Sequence, residues 1–232
     1  MPAPQGYLFD LDGTLVDSER ESGEAMARAL LHGLGIAITQ DDRELVIGKS
    51  WVSIYENLVA RYPLAWTRDK LIAQTARERE DVIAEQGITV LPGARDVLRF
   101  TRDAPRALVT GSSRVEATQV LPLIGPDAVF EIIYAAEDVP RSKPHPDGYL
   151  LALGRLGLPP HRCIVIEDSV AGIAAGRAAG CIVVAIRAGN FGGWDQSGAH
   201  RILDTLEEFP SLVGELGRID PRDYPSAEGL RP

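Results

Sequence analysis

Apolar residues gather in short continuous runs along this chain: YLFDL (7–11), RALVT (106–110), EIIYAA (131–136), CIVIED (163–168) and CIVVAI (181–186), with a shorter RIL at 201–203. Each run is strand-sized, and the last four connections between them have helix-like patterns. Strands alternating with helices predict a parallel sheet covered on both faces. The fold class read from this rhythm is α/β, with a Rossmann-like parallel sheet core.

One connection breaks the rhythm. Roughly ninety residues separate the first run from the second, far more than one crossover needs. The segment has helical spacing. Ser18-Glu19-Arg20-Glu21 reads as a capping box that starts a helix ending at Gly33 or Gly35. Trp51, Ile54, Tyr55, Leu58 and Tyr62 share one helical face, with Trp51 and Tyr55 read as core. A third helix is expected from Thr67 to about Gln86, with Leu71, Ile72, Val82 and Ile83 inward. Residues 17–88 therefore read as a small helical domain inserted into a core built from 1–16 and 89–217, and GITVLPG (87–93) returns the chain to that core. The polar, proline-rich stretch 218–232 reads as a mobile tail.

Charge narrows the choice of partners. The 33 acidic and 24 basic residues give a formal net charge of -9, and no cluster of Lys and Arg stands out, so no nucleic-acid partner is expected. The acidic balance suits solubility. Cys163 and Cys181 lie in or beside apolar runs and read as free buried thiols, since two cysteines make neither a disulfide framework nor a zinc site. No basic stretch leads into an apolar one at the start of the sequence, and no apolar run is long enough to span a bilayer. A cytoplasmic protein without a membrane partner is the expectation.

In open parallel sheets, ligands bind at the carboxyl ends of the strands near a topological switch point. Those ends carry Asp10 and Asp12, then Thr110-Gly111-Ser112-Ser113, then Arg141-Ser142-Lys143-Pro144, then Glu167-Asp168. Four carboxylates in one crevice cannot all ionise without a compensating cation. An all-oxygen set suits a hard divalent ion such as magnesium. The hydroxyls, Gly111 and Lys143 are what an anion needs, and Ser113-Arg114-Val115-Glu116 is a capping box that points free N–H groups toward the same loop. A metal, an anion cradle and a carboxylate nucleophile together point to phosphoryl transfer through an aspartyl phosphate. Two other patterns fall away. Gly48-Lys49-Ser50 lacks the glycine of a P-loop, because Arg43 stands there, although Lys49 stays a candidate substrate contact. GIAAGRAAG (172–180) has the wrong spacing for a nucleotide-binding run and reads as small residues that let a helix lie close to the sheet. The loop GNFGGWD (189–195) reads equally as a border of the crevice or as plain surface.

DLDGTLVDS, VTGSS, SKPHPDGY and VIEDSVAGIAAGRAAG, in this order, resemble the four signature motifs of the haloacid dehalogenase superfamily. Within it they resemble the phosphatase and β-phosphoglucomutase branch that carries a helical (C1-type) cap after the first motif. The resemblance runs from about Gly6 to about Ile202 and is weaker across the cap. It implies Asp10 as the nucleophile and Asp12 as the general acid and base. It implies a magnesium ion (Mg2+) held by the Asp10 carboxylate, the Asp12 carbonyl and Asp168, with Glu167 acting closely or through water. Thr110 and the Gly111 amide would hold the phosphoryl oxygens and Lys143 would neutralise charge, while Ser112 and Arg114 are further candidate substrate contacts. The resemblance also implies a cis bond between Lys143 and Pro144 and a cap that closes over the site. Where β-phosphoglucomutases carry a histidine near the start of the first cap helix, this chain has Ser22, which counts against mutase activity. The expectation is a magnesium-dependent phosphatase acting on a small phosphorylated metabolite, a sugar or polyol phosphate, in a monomer or small homo-oligomer. The alternative is a sugar-phosphate mutase.

Overall fold

The apolar runs become six parallel strands of one sheet in a computed structural model that describes residues 4–46, 49 and 51–216. The first half of the chain gives β1 (Gly6–Phe9), β2 (Val16–Asp17), α1 (Ser18–Leu34), α2 (Gln40–Arg43), α3 (Trp51–Arg61), α4 (Arg68–Gln86), β3 (Thr89–Val90) and α5 (Ala94–Phe100). The second half gives β4 (Arg106–Val109), α6 (Arg114–Ile124), β5 (Ile132–Tyr134), α7 (Asp147–Leu156), β6 (Cys163–Glu167), α8 (Val170–Ala178), β7 (Ile182–Ile186), β8 (Arg201–Leu203) and α9 (Phe209–Leu216). The sheet order is β5-β4-β1-β6-β7-β8. Every residue of β1, β4, β6 and β7 is buried, as expected for strands covered on both faces. Connections run to one side of β1 through β4 and β5 and to the other through β6, β7 and β8, so the switch point lies at β1.

The chain divides into two compact units, one from residues up to Val16 and from Val90 onward, the other Asp17–Thr89. In the first, α8 lies close to the sheet because Gly176 faces Val165 and Val183, where a Cβ would stand 2.9 Å from Val183 Cγ2. Small residues in that helix thus serve packing, as the sequence suggested. Cys163 and Cys181 are free and buried, and burial pushes their thiols up to about 11 and about 12.

The second unit packs α1 against α4 around Met26, Leu30, Ile54, Leu58, Trp66 and Leu71, with Trp51, Tyr55 and Tyr62 against that cluster. Its polar keystone is Asp42. The carboxylate is buried and accepts from Thr39 Oγ1 (2.6 Å), from Tyr62 Oη and from the Arg61 guanidinium. Burial pushes this carboxyl up, but the hydrogen bonds from Thr39, Tyr62 and Arg61 prevail and hold it at about 2. One expectation is corrected here. The cap of α1 is Asp17, which accepts from the N–H groups of Glu19 and Arg20, and Ser18 is already helical. Glu21 does not close a capping box; its Oε1 accepts from Thr89 N. A carboxylate one residue earlier took the capping position. Of the four residues expected inward on α4, Leu71, Val82 and Ile83 are buried and Ile72 is half-buried. No described helix is long and apolar enough to cross a membrane. The tail expected at 218–232 lies outside the described residues, as do Gly48 and Ser50.

Candidate active site

β1 ends at Phe9, so the expected strand through Leu11 is shorter by two residues. Asp10 still keeps register, since its N–H donates to Ile166 O at 3.0 Å. The chain then turns: the N–H groups of Leu15 and Val16 both donate to Leu11 O, and Gly13 adopts φ 78°. Any side chain at position 13 would also collide with Asp168, whose Oδ2 lies 2.3 Å from where a Cβ would stand. Asp10 and Asp12 therefore do not lie on one face of a strand. Asp10 extends β1 toward β6, and Asp12 begins a turn.

The Asp10, Glu167 and Asp168 carboxylates each offer an oxygen, all within 4.8 Å of one another. Lys143 reaches them across the sheet end. Its Nζ donates to Asp10 Oδ1 at 2.5 Å, to Glu167 Oε1 at 2.5 Å and to Val109 O at 2.9 Å. The Lys143–Pro144 bond is cis, as the sequence resemblance implied. Glu167 is fully buried at the end of β6, and its Oε2 accepts from Asp168 N, Ser169 N and Ser169 Oγ. Ser169, not Glu167 or Asp168, caps α8. Thr14 Oγ1 donates to Asp168 Oδ1 at 3.1 Å.

The electrostatics follow from this crowding. Burial pushes the Asp10 carboxyl up to about 8; Lys143 pulls it down, while Glu167 and Asp12 repel its charge. Burial, followed by repulsion from Glu167 and Asp10, also holds Asp168 well above the usual carboxylate range. Burial alone would lower Lys143, but Asp10 and Glu167 reverse that and hold it well above its ordinary value. One ammonium cannot neutralise three carboxylates. The all-oxygen donor set and the leftover negative charge fit a hard divalent cation.

Asp12 turns toward β4. Ser112 Oγ donates to its Oδ2, and Thr110 Oγ1 lies 3.4 Å from the same oxygen. Thr110 Oγ1 in turn accepts from Ser112 N at 3.0 Å. Ser113 caps α6 in the expected capping box with Glu116. No atom of the described residues lies within 4 Å of where a Gly111 Cβ would stand, so they do not demand glycine there. A cavity of about 150 Å³ opens beside this loop, lined in part by Thr110, Gly111, Lys143 and Tyr149.

Arg114 opens α6. Its guanidinium donates to Ile133 O at 2.9 Å and to Asp138, tying α6 to β5 and the segment after it. Ser112 likewise is engaged with Asp12. Lys49 lies in the helical unit and is exposed. The 189–195 loop begins against the turn that follows Asp12. Gly189 rests on Gly13 O so closely that a Cβ would stand 1.5 Å from it, and Gln196 Nε2 donates to Asp168 O (2.6 Å) and Ile186 O (2.9 Å). Sequence reading missed Thr14, Tyr149 and Gln196. Tyr149 closes the SKPHPDGY motif, three residues past Pro146, but its direction toward the site is set by packing.

Residues 4–180 match the haloacid dehalogenase-like hydrolase family. Hexitol phosphatase A of Escherichia coli (strain K12) is 38% identical over 187 residues, covering 79% of this chain and 83% of that protein. Protein CbbY of Rhodobacter capsulatus is 33% identical over 224 residues, covering 91% and 98%. Among solved structures, a HAD family hydrolase from Deinococcus radiodurans R1, with bound phosphate and sodium, superposes with a TM-score of 0.71 at 28% identity, covering 95% of this chain and 100% of that one. The chain belongs to the haloacid dehalogenase-like hydrolases.

Proposed function

We propose that this haloacid dehalogenase-like hydrolase is a magnesium-dependent phosphatase acting on a small phosphorylated metabolite through an aspartyl phosphate on Asp10. The observation that carries the reading is the cluster of buried Asp10 and Glu167 with half-buried Asp168, the first two paired with Lys143, at the sheet's switch point. Asp10 and Asp168, with the Asp12 carbonyl, would hold the ion, and Glu167 backs them. When bound, magnesium supplies positive charge against the phosphoryl oxygens and keeps Asp10 ionised.

Asp10 Oδ attacks phosphorus, and the bond from phosphorus to the ester oxygen breaks. Asp12 gives its proton to the departing alkoxide. In the second step Asp12 takes a proton from water, the water oxygen bonds to phosphorus, and the bond to Asp10 breaks to release inorganic phosphate. A positioned acid and base of this kind contributes roughly 10²- to 10⁴-fold in rate. Thr110, the Gly111 amide, Ser112 and Lys143 would hold the phosphoryl oxygens. Ser112 already orients Asp12, so the loop after β4 both aims the acid and cradles the anion.

The substrate class rests on likeness to hexitol phosphatase A, which favours a sugar or sugar-alcohol phosphate. The test is phosphate release from a panel of sugar and polyol phosphates with magnesium, against a chelator control. Release that disappears with the chelator and in Asp10→Asn is expected. No release from any ester would sink the reading, and isomerised sugar phosphate without free phosphate would replace it with mutase chemistry.

A further inference from the structure

We propose that Tyr149 is a positioning residue for this reaction, aiming Lys143 at Asp10 by holding Glu167; the inference rests on the phosphatase reading above. Tyr149 is 1% exposed and packs in the core with Leu8, Val109, Ala152 and Val165. A phenylalanine would fill the same space, so the hydroxyl is what needs an explanation. It donates to Glu167 Oε1 at 2.8 Å, and the ring lies under Lys143 Nζ, 5.3 Å from its centroid. The hydroxyl is therefore already committed within the protein.

Lys143 stands as a tripod. An ammonium has three N–H donors, and here they meet Val109 O, Glu167 Oε1 and Asp10 Oδ1. Val109 O belongs to β4, a buried strand inside the sheet, which fixes its place. If Glu167 Oε1 is also fixed, the third N–H has one direction left, toward Asp10 and the phosphoryl group it attacks. The far oxygen of Glu167 is pinned by Ser169 and two backbone N–H groups. Among the described residues, the near oxygen has only Tyr149 and Lys143 itself. Without the Tyr149 hydroxyl, that oxygen follows the lysine instead of directing it. A group aimed at developing charge matters most in the transition state.

The test compares wild type, Tyr149→Phe, Glu167→Gln and the double variant on p-nitrophenyl phosphate with magnesium. Tyr149→Phe is expected to lower kcat about tenfold while KM stays within about twofold. Its effect should shrink in the Glu167→Gln background, the coupling expected of residues that act through one another. A second readout uses the metal-free protein. The ¹⁵N resonance of the Lys143 ammonium should be sharp in wild type and broadened or lost in Tyr149→Phe. Fluorotyrosine at 149 keeps ring, hydroxyl and bond, and should restore both readouts, also serving if the phenylalanine variant folds poorly. Wild-type hydrolysis matched by Tyr149→Phe, an unchanged lysine resonance, or full additivity would overturn this inference alone. Failure of the wild type to hydrolyse any ester would overturn the phosphatase reading and this inference with it.

Discussion

Replacing Gly172 with alanine sets helix propensity against the site, and the structure says which wins. In an ordinary helix interior, alanine is more stable than glycine by roughly 0.5–1 kcal/mol. At 172, however, a Cβ would stand 1.8 Å from Glu167 Oε1, 1.9 Å from its Cδ and 2.2 Å from its Oε2. Ordinary contact begins near 3.4 Å, so the gap must open by about 1.6 Å. The carboxylate cannot swing aside freely, because Lys143, Tyr149, Ser169 and the Asp168 N–H all hold it. Either those bonds break around a buried charge, at about 3–5 kcal/mol, or α8 shifts off the sheet, at about 1–3 kcal/mol. Gly172→Ala should therefore lower stability by about 1–3 kcal/mol or more, with the melting temperature falling by several degrees. Activity should fall at the same time. Gly154 on α7 is the control: no atom of the described residues lies within 4 Å of its Cβ position, so Gly154→Ala should be neutral or slightly stabilising. Urea unfolding and phosphate release on the two variants decide it. A Gly172→Ala protein as stable and active as wild type would refute the packing argument and the fixed seat of Glu167.

Metal-free protein should lose stability as pH rises from the ordinary Asp value of 3.8 through about 8. Over that window folded Asp10 holds a proton that the unfolded chain has released, so raising pH favours unfolding. Melting scans at several pH values should show that magnesium's stabilising shift grows toward pH 8; a shift independent of pH would contradict the crowded-carboxylate account. His200 works in the opposite direction. Burial, aided by Arg177 and Arg201, lowers it from 6.5 to about 4, while its Nδ1 accepts from Val183 N. Below 6.5 the unfolded chain takes a proton that the folded one refuses, so stability should fall as pH drops toward about 4, and His200→Gln should flatten that loss in melting scans. In the helical unit, Asp42→Ala strands Thr39 and Tyr62 and should cost about 2–4 kcal/mol by chemical denaturation.

The sheet was legible because buried parallel strands read as unbroken apolar runs, and the long connection after β1 could not be a single crossover. RIL at 201–203 became β8 without change. Strand ends were less legible. YLFDL promised a strand through Leu11, but a chain that must present Asp10 beside β6 and then turn under Gly13 leaves the sheet at Phe9. The start of α1 fooled the motif reading for a local reason: Asp17 and Ser18 can each cap a helix, and only the backbone decides. At the site, residue type and strand-end position single out the carboxylates and the lysine as candidates. Their hydrogen-bond partners were not singled out, since Tyr149, Thr14 and Gln196 act through side-chain directions set by tertiary packing. Arg114, a candidate substrate contact, donates to Asp138 and Ile133 O, pairings that residue type and position did not indicate.

The central claim is that Asp10 carries the phosphoryl group between two displacements. Rapid acid quench during turnover of a phosphate ester with magnesium, followed by peptide mass spectrometry, tests it directly. The account predicts a phosphoryl group on Asp10 that rises before free phosphate is released and is absent from Asp10→Asn. Phosphate release with no phosphoryl group on the chain, or with one on another residue, would contradict it.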